Sequence, residues 1–173
     1  MSLSLEGIRI LELAHQYPGP YCSMLLADLG AEVLKVERPV GGDPARQLPS
    51  FFESINRNKK SLTLDLKAPA AREILHQLVQ RTDVFMEGFR PVVAERMGMG
   101  YPALRQLNPR LVYCSISGYG QNGPYRDLPG HDLNYLAMAG VLPLFRNRRN
   151  GGERLERNYA AVTEEAGGAA GRC

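Results

Sequence analysis

Residues 8–37, IRILELAHQYPGPYCSMLLADLGAEVLKVE, decide the fold. Ile8–Leu13 is a short apolar run that ends in the turn His15-Gln16-Tyr17-Pro18-Gly19-Pro20, and it reads as a strand. A helix follows from about Tyr21 to Leu29. Pro20 suits its first position, where a missing N–H is harmless, and Gly30 is its C-terminal stop. Glu32–Glu37 reads as a second strand. Strand, helix and strand in such short order form a βαβ unit, which sets two strands parallel with the helix across one face.

The same beat continues outward. Ser61–Leu66 alternates and reads as a third strand, and Pro69–Gln80 carries Ile74, Leu75, Leu78 and Val79 on one helical face. Asp83–Glu87 is a fourth strand, Pro91–Met97 and Pro102–Asn108 are short helices, Leu111–Ser117 is a fifth strand, and Asp132–Gly140 starts another helix. Pro39–Lys60, with Gly41, Gly42, Pro44 and Pro49, reads as a long loop. The expectation is an α/β fold: a Rossmann-like parallel sheet with helices on both faces, right-handed crossovers and an incomplete C-terminal side. Residues 1–143 would be one part of a larger domain. Residues 144–173 would be a divergent, disordered tail, because RNRRNGG and EEAGGAAGR lack bulky apolar side chains.

Composition narrows the class. The 173 residues fit one domain, and 44% hydrophobic with 23% charged residues excludes wholesale disorder, collagen and coiled coil. Lys+Arg 21 against Asp+Glu 18 leaves +3, too little to argue for nucleic acid. No run approaches the roughly 18 apolar residues of a membrane helix. Glu6 and Arg9 interrupt the N-terminus, so no secretory signal is expected. Cys22, Cys114 and Cys173 suit neither a disulfide framework nor a zinc site, and a reduced, cytoplasmic protein is expected.

Parallel strands release their following loops on one edge, where open α/β sheets bind ligands. Those segments are Ala14–Pro20, Arg38–Gly42, Lys67, Gly88–Arg90 and Gly118–His131. They bring Arg38, Lys67 and Arg90 to one rim, which suits a polyanionic nucleotide because guanidinium and ammonium groups compensate phosphate charge. Taken singly, each reads better as a solvated surface cation, and only strand order, which puts the set on one edge, favours the ligand reading. Arg57–Lys60 falls at the opposite strand end. A dinucleotide is disfavoured: the first turn holds one glycine and two prolines instead of G-x-G-x-x-G, and no Walker A loop occurs. Glu37 stands where a ribose-binding acid would, but without the glycines.

Ser117–Gly140, SGYGQNGPYRDLPGHDLNYLAMAG, carries the chemistry. Gly130-His131-Asp132 opens a helix, whose positive dipole end favours an uncharged imidazole able to accept a proton. First-turn N–H groups could stabilise developing oxygen charge. In the plainer reading Asp132 caps the helix and His131 is incidental. His76 reads as packed or solvated, His15 as a possible ligand contact, Cys114 as core and Cys22 as lacking a neighbouring base. No metal-ligand spacing or paired carboxylates are present.

With those residues in view, the chain resembles the family III CoA-transferase and α-methylacyl-CoA racemase superfamily. The match runs in order from about residue 3 to 145, through LEGIRILEL, PGPYCSMLLADLGAEVLKVERP, NRNKKSLTLDLK, DVFMEGFRPVVAERMGMGYPAL, NPRLVYCSISGYGQNGP and GHDLNYLAMAG. The resemblance implies a Rossmann-like large domain that binds CoA, a smaller second domain and interlocked homodimers, an assembly this chain's shortness puts in question. It implies action on acyl-CoA thioesters, with no cofactor beyond the CoA of the substrate and no metal. By resemblance Arg38, Leu64, Asp65, Leu66, Lys67, Gly88, Phe89, Arg90 and Arg96 hold CoA. Gly130, Asp132, Leu133, Asn134 and Tyr135 line the thioester, and His131 is catalytic.

Two chemistries compete within the superfamily. Racemase-like members use a histidine in GHD-N-Y to move the α-proton of a 2-methylacyl-CoA, with an aspartate serving the other face. Transferases use an aspartate nucleophile. His131 favours the racemase-like reading. In both branches the aspartate lies in a Gly-Asp-Gly-rich segment after the GHD helix, and no Gly-Asp follows Val141 here. The tail resembles an out-of-frame reading or an early stop, so a non-catalytic CoA-binding fragment is the third reading. A sheet left partly uncovered is expected to be marginally stable and prone to associate.

Overall fold

The computed structural model describes residues 2–141. The tail from 144 to 173 lies outside the described residues. The chain forms two compact units, one ending at Gln121 and the other beginning at Asn122.

In the first unit the strands are β1 (Arg9–Leu13), β2 (Glu32–Glu37), β3 (Lys59–Thr63), β4 (Val84–Glu87) and β5 (Val112–Ser115). They form one sheet in the order β3-β2-β1-β4-β5, and every neighbouring pair is parallel. The helices of this unit are α1 (Pro18–Asp28), α2 (Pro49–Asn56), α3 (Pro69–Val79), α4 (Val93–Arg96) and α5 (Tyr101–Leu107). They cover both faces, as expected. Strand alternation sends Leu11, Leu13, Val36 and Phe85 to one side, against Leu75 and Val79 of α3 and Leu104 of α5. Ile10 and Val33 face the other side, against Ala27 of α1 and Ala31. The Tyr17 ring stacks on Tyr21 of α1 at 5.4 Å and on Phe51 of α2 at 5.9 Å, which joins α2 to the α1 side.

The structure departs from the sequence reading in the β2–β3 connection. Pro39–Lys60 is not an irregular loop. It contains a 3-10 turn, Pro44–Gln47, and then α2. A crossover between adjacent parallel strands has to return along the sheet, which a helix does with its backbone bonds satisfied. Pro44 and Pro49 stand in the first turns of these helices, where proline initiates rather than breaks. Asp43 supplies the cap, its Oδ1 accepting the Ala45 N–H at 2.9 Å.

Two boundaries also move. β3 is paired from Lys59 to Thr63 rather than from Ser61 to Leu66, because its partner β2 ends at Glu37. Leu64 and Leu66 keep the alternating orientation and pack against the core beyond the ladder. The first helix starts at Pro18, so Pro20 is its third residue rather than its first. Gly30 does end it, with φ +104°.

Two glycines fix how closely the sheet's carboxyl edge can close. A Cβ on Gly19 would overlap the Ala14 Cβ, and one on Gly88 would lie 3.3 Å from it. Ala14 follows β1, Gly19 opens α1 and Gly88 follows β4, so three backbones meet in one spot. We expect Gly19→Ala to cost about 1–3 kcal/mol by overpacking. Denaturant unfolding should show Ala14→Gly recovering part of that loss in the double variant but not when made alone.

Candidate functional site at the carboxyl edge of the sheet

The crossovers from β1 and into β4 lie on opposite sides of β1, so the sheet changes direction between β1 and β4. Open α/β sheets bind ligands at such a switch point. The β1–α1 turn stands at it. This turn has no glycine-rich loop to shape it, and it is held instead from below by buried charge.

Glu12, Lys35, Asp43 and Lys59 are almost wholly buried, with side chains 0–2% exposed. Lys35 Nζ reaches Asp43 Oδ2 at 2.8 Å and Glu12 Oε1 at 3.4 Å, and donates to the Ala14 carbonyl at 2.9 Å. Lys59 Nζ reaches Glu12 Oε2 at 3.1 Å and donates to the Pro20 carbonyl at 2.7 Å. Asp43 accepts the Gln16 N–H at 3.0 Å, and Ser23 Oγ donates to Glu12 at 2.8 Å. Two carboxylates face two ammonium groups, and between them they fix three backbone groups of one turn. Gln16 is thereby held at φ 66°, a left-handed geometry rare for a residue with a side chain.

The electrostatics follow from this packing. Burial pulls the Lys59 amine down to about 8, against the opposing pull of the Glu12 carboxylate. Burial would raise Asp43, but the Lys35 charge overrides it and holds the carboxyl below its usual range. Glu37 also resists a burial penalty. The Arg46 fork at 2.7 Å on both oxygens, the Ser61 hydroxyl and the Asp43 amide bring it to about 2. His15, in the same turn, is lowered chiefly by burial, and its Nε2 is buried without a hydrogen-bond partner among the described residues.

Arg38, residues 64–67 and residues 88–90 follow β2, β3 and β4 on that edge. Arg38 follows β2, exposed, with Nε donating to the Gly42 carbonyl at 2.9 Å. Leu64-Asp65-Leu66-Lys67 follows β3: the two leucines turn inward, Asp65 Oδ1 accepts the Lys67 N–H at 3.0 Å, and Asp65 and Lys67 are exposed. Gly88-Phe89-Arg90 follows β4, pinned by the buried Glu87, which accepts the Phe89 N–H at 2.7 Å and the Ser115 hydroxyl. Phe89 packs on the core and Arg90 is exposed. Arg96, also exposed, ends α4.

Arg57–Lys60 does not join the rim. Arg57 pairs with Asp28 at the end of α1, Lys60 lies 3.8 Å from Glu32, and Lys59 is the buried amine described above. Sequence reasoning missed the buried quartet. The signal was present in Glu12 and Lys35, single charges inside otherwise apolar strands that register as direct cross-strand partners.

The second unit contains α6 (Asp132–Met138). His131 is its N-cap residue, so the cap is not Asp132, which stands in the first turn. Asn134 reaches back, its Oδ1 accepting the His131 N–H at 2.9 Å, and the Tyr135 hydroxyl donates to the Gly130 carbonyl at 2.8 Å. These bonds order Gly130–Tyr135 around an exposed imidazole, and Leu133 is half-buried.

The fold is an open parallel α/β sheet with exposed cations on segments that follow its strands. The chain belongs to CoA-transferase family III, whose model matches residues 5–160. It is 44% identical over 140 residues to α-methylacyl-CoA racemase of Homo sapiens, covering 81% of this chain and 35% of that protein. It is 42% identical over 154 residues to succinate–glutarate CoA-transferase of Agrobacterium fabrum, covering 81% of this chain and 38% of that protein. The chain thus spans little more than a third of the length of these relatives. Among solved structures, a CAIB/BAIF family protein from Brucella suis superposes with TM-score 0.82 at 30% identity, over 98% of this chain and 50% of that one. Rv3272 from Mycobacterium tuberculosis does so with TM-score 0.81 at 36% identity, over 97% and 47%.

Lys35→Met strands Glu12 and Asp43 beside Lys59 alone and should cost about 3–5 kcal/mol. Lys60→Met breaks only an exposed pair and should cost under about 1 kcal/mol; urea midpoints compare the two. Glu37 yields a pH dependence. Its carboxyl lies below its unfolded value of 4.5, so its contribution is complete above that pH and is lost as pH falls toward 2. Glu37→Gln should therefore flatten the stability profile between pH 5 and about 2, read by urea unfolding at each pH.

Proposed function

We propose that this chain binds the CoA moiety of an acyl-CoA along the carboxyl edge and that His131 moves the α-proton of a 2-methylacyl group. Arg38, Lys67, Arg90 and Arg96 would meet the phosphates, with Leu64, Asp65, Leu66, Gly88 and Phe89 shaping the floor. A guanidinium binds phosphate by a two-pronged fork. CoA would enter as part of the substrate, with no further cofactor.

The observation that carries this reading is His131 itself, an exposed imidazole at the N-cap of α6 in the segment Gly130-His131-Asp132-Leu133-Asn134-Tyr135. The α-proton passes to the imidazole, and the C–H electron pair becomes an enolate whose charge rests on the thioester oxygen. A proton returned to the same carbon completes the exchange. Inversion needs a second acid on the opposite face, and the described residues of this unit offer none that the family pattern identifies. The second reading, transfer of CoA between carboxylic acids, is favoured by the 42% identity to a CoA-transferase, close to the 44% to a racemase. We also infer a cytoplasmic setting, which the unpaired thiols of Cys22 and Cys114 support.

Incubating the full chain with a 2-methylacyl-CoA in deuterated water tests the reading. α-Deuterium should be incorporated, and His131→Gln should lower the rate by about 10²-fold or more while CoA binding is unchanged. Arg90→Gln should instead weaken CoA binding. CoA appearing on a free carboxylate would mark a transferase, and CoA binding without exchange would mark a non-catalytic fragment.

A further inference from the structure

The opposite, amino edge of the same sheet holds a second concentration of positive charge. A cavity of about 350 Å³ opens there, with Arg9, Arg81 and Arg110 in its lining and Asp83 as its one acid. Arg9 is the first residue of β1, Asp83 immediately precedes β4 and Arg110 leads into β5. The cavity therefore lies at the other end of the strands from Arg38 and Arg90.

Its walls are built on tied backbone. Arg9 N–H donates to Asp83 Oδ2 and Asp83 N–H to the Arg9 carbonyl, both at 2.9 Å. The Asn108 side chain donates to the Val79 carbonyl at 3.1 Å and the Thr82 carbonyl at 2.7 Å, and its Oδ1 accepts the Arg110 N–H at 3.1 Å. Asn108 thus covers two carbonyls at the end of α3, which would otherwise present partial negative charge to the cavity.

The three guanidinium groups make few internal bonds. Among the described residues no carboxylate pairs with any of them, and the nearest bond is a long one from Arg9 Nη1 to the Arg81 carbonyl at 3.5 Å. Asp83 spends one oxygen on a backbone amide. Three cations against one acid leave the cavity two charges positive. Elsewhere in this unit Arg46 and Arg57 are each answered by a carboxylate; here three guanidinium groups line one cavity with a single acid.

We propose that this amino-edge cavity binds a small phosphate-bearing anion. A dianion matches the two uncompensated charges, and guanidinium forks match tetrahedral oxyanions better than point charges do. The volume exceeds what a single phosphate fills, which leaves room for a diphosphate or an attached organic group. The inference is independent of the function proposed for the carboxyl edge.

Titrating the full, nitrogen-15-labelled chain with inorganic pyrophosphate tests it. We expect saturable amide shifts at Gly7, Thr82 and Arg110. The dissociation constant should rise about tenfold or more in Arg81→Gln/Arg110→Gln, since each substitution removes charge-assisted hydrogen bonds. It should also rise with salt, whereas Arg38→Gln should leave these shifts unchanged. The spectrum of the double variant itself reports that the fold persists. Shifts confined to the carboxyl edge, or a dissociation constant that the double variant leaves unaltered, would overturn the proposal. So would the absence of saturation.

Discussion

Everything at the carboxyl edge depends on Lys35 and Lys59 being buried with Glu12 and Asp43. Ionised groups are expensive to remove from water, and they are tolerated only when paired and hydrogen-bonded. Here each ammonium also grips a main-chain carbonyl of the β1–α1 turn, Ala14 for Lys35 and Pro20 for Lys59. The carboxylate of Asp43 grips the Gln16 amide of the same turn. Loss of any one partner strands a buried charge, so the turn cannot relax by degrees.

This arrangement explains how a Rossmann-like sheet manages without the glycine-rich first loop of dinucleotide-binding folds. In those folds glycines let the backbone approach a pyrophosphate directly. Here the first turn contains two prolines and is set by side chains from β2, β3 and the 3-10 turn. Close approach is reserved for Gly19 and Gly88, both pressed on Ala14. The exposed cations Arg38, Lys67 and Arg90 then stand outside this rigid frame, on the segments that follow β2, β3 and β4.

The fold was legible because its signals are local. Glu32–Glu37 matches β2 residue for residue, and the Pro69 start of α3 is visible as a proline before an apolar stripe. The β2–β3 connection was not legible, because glycine and proline punctuate loops and also open helices. Only the need to cross between parallel strands separates the two roles. The candidate site divides in the same way. Arg38, Lys67 and Arg90 follow from strand order alone. The buried quartet does not: Glu12 and Lys35 stand out as charges inside apolar strands, but Asp43 and Lys59 lie elsewhere along the chain and nothing local shows that they join.

Sequence alone determined the period of apolar residues, hence the elements, their parallel order and the segments on the ligand-binding edge. It also carried the GHD-N-Y segment and the family to which the chain belongs. Tertiary structure decided which charges are buried together, which cations are neutralised at once and which are left facing outward. The reason is physical: periodicity is set by neighbours a few residues apart, whereas the energy of a charge depends on the medium and partners that the folded chain puts around it.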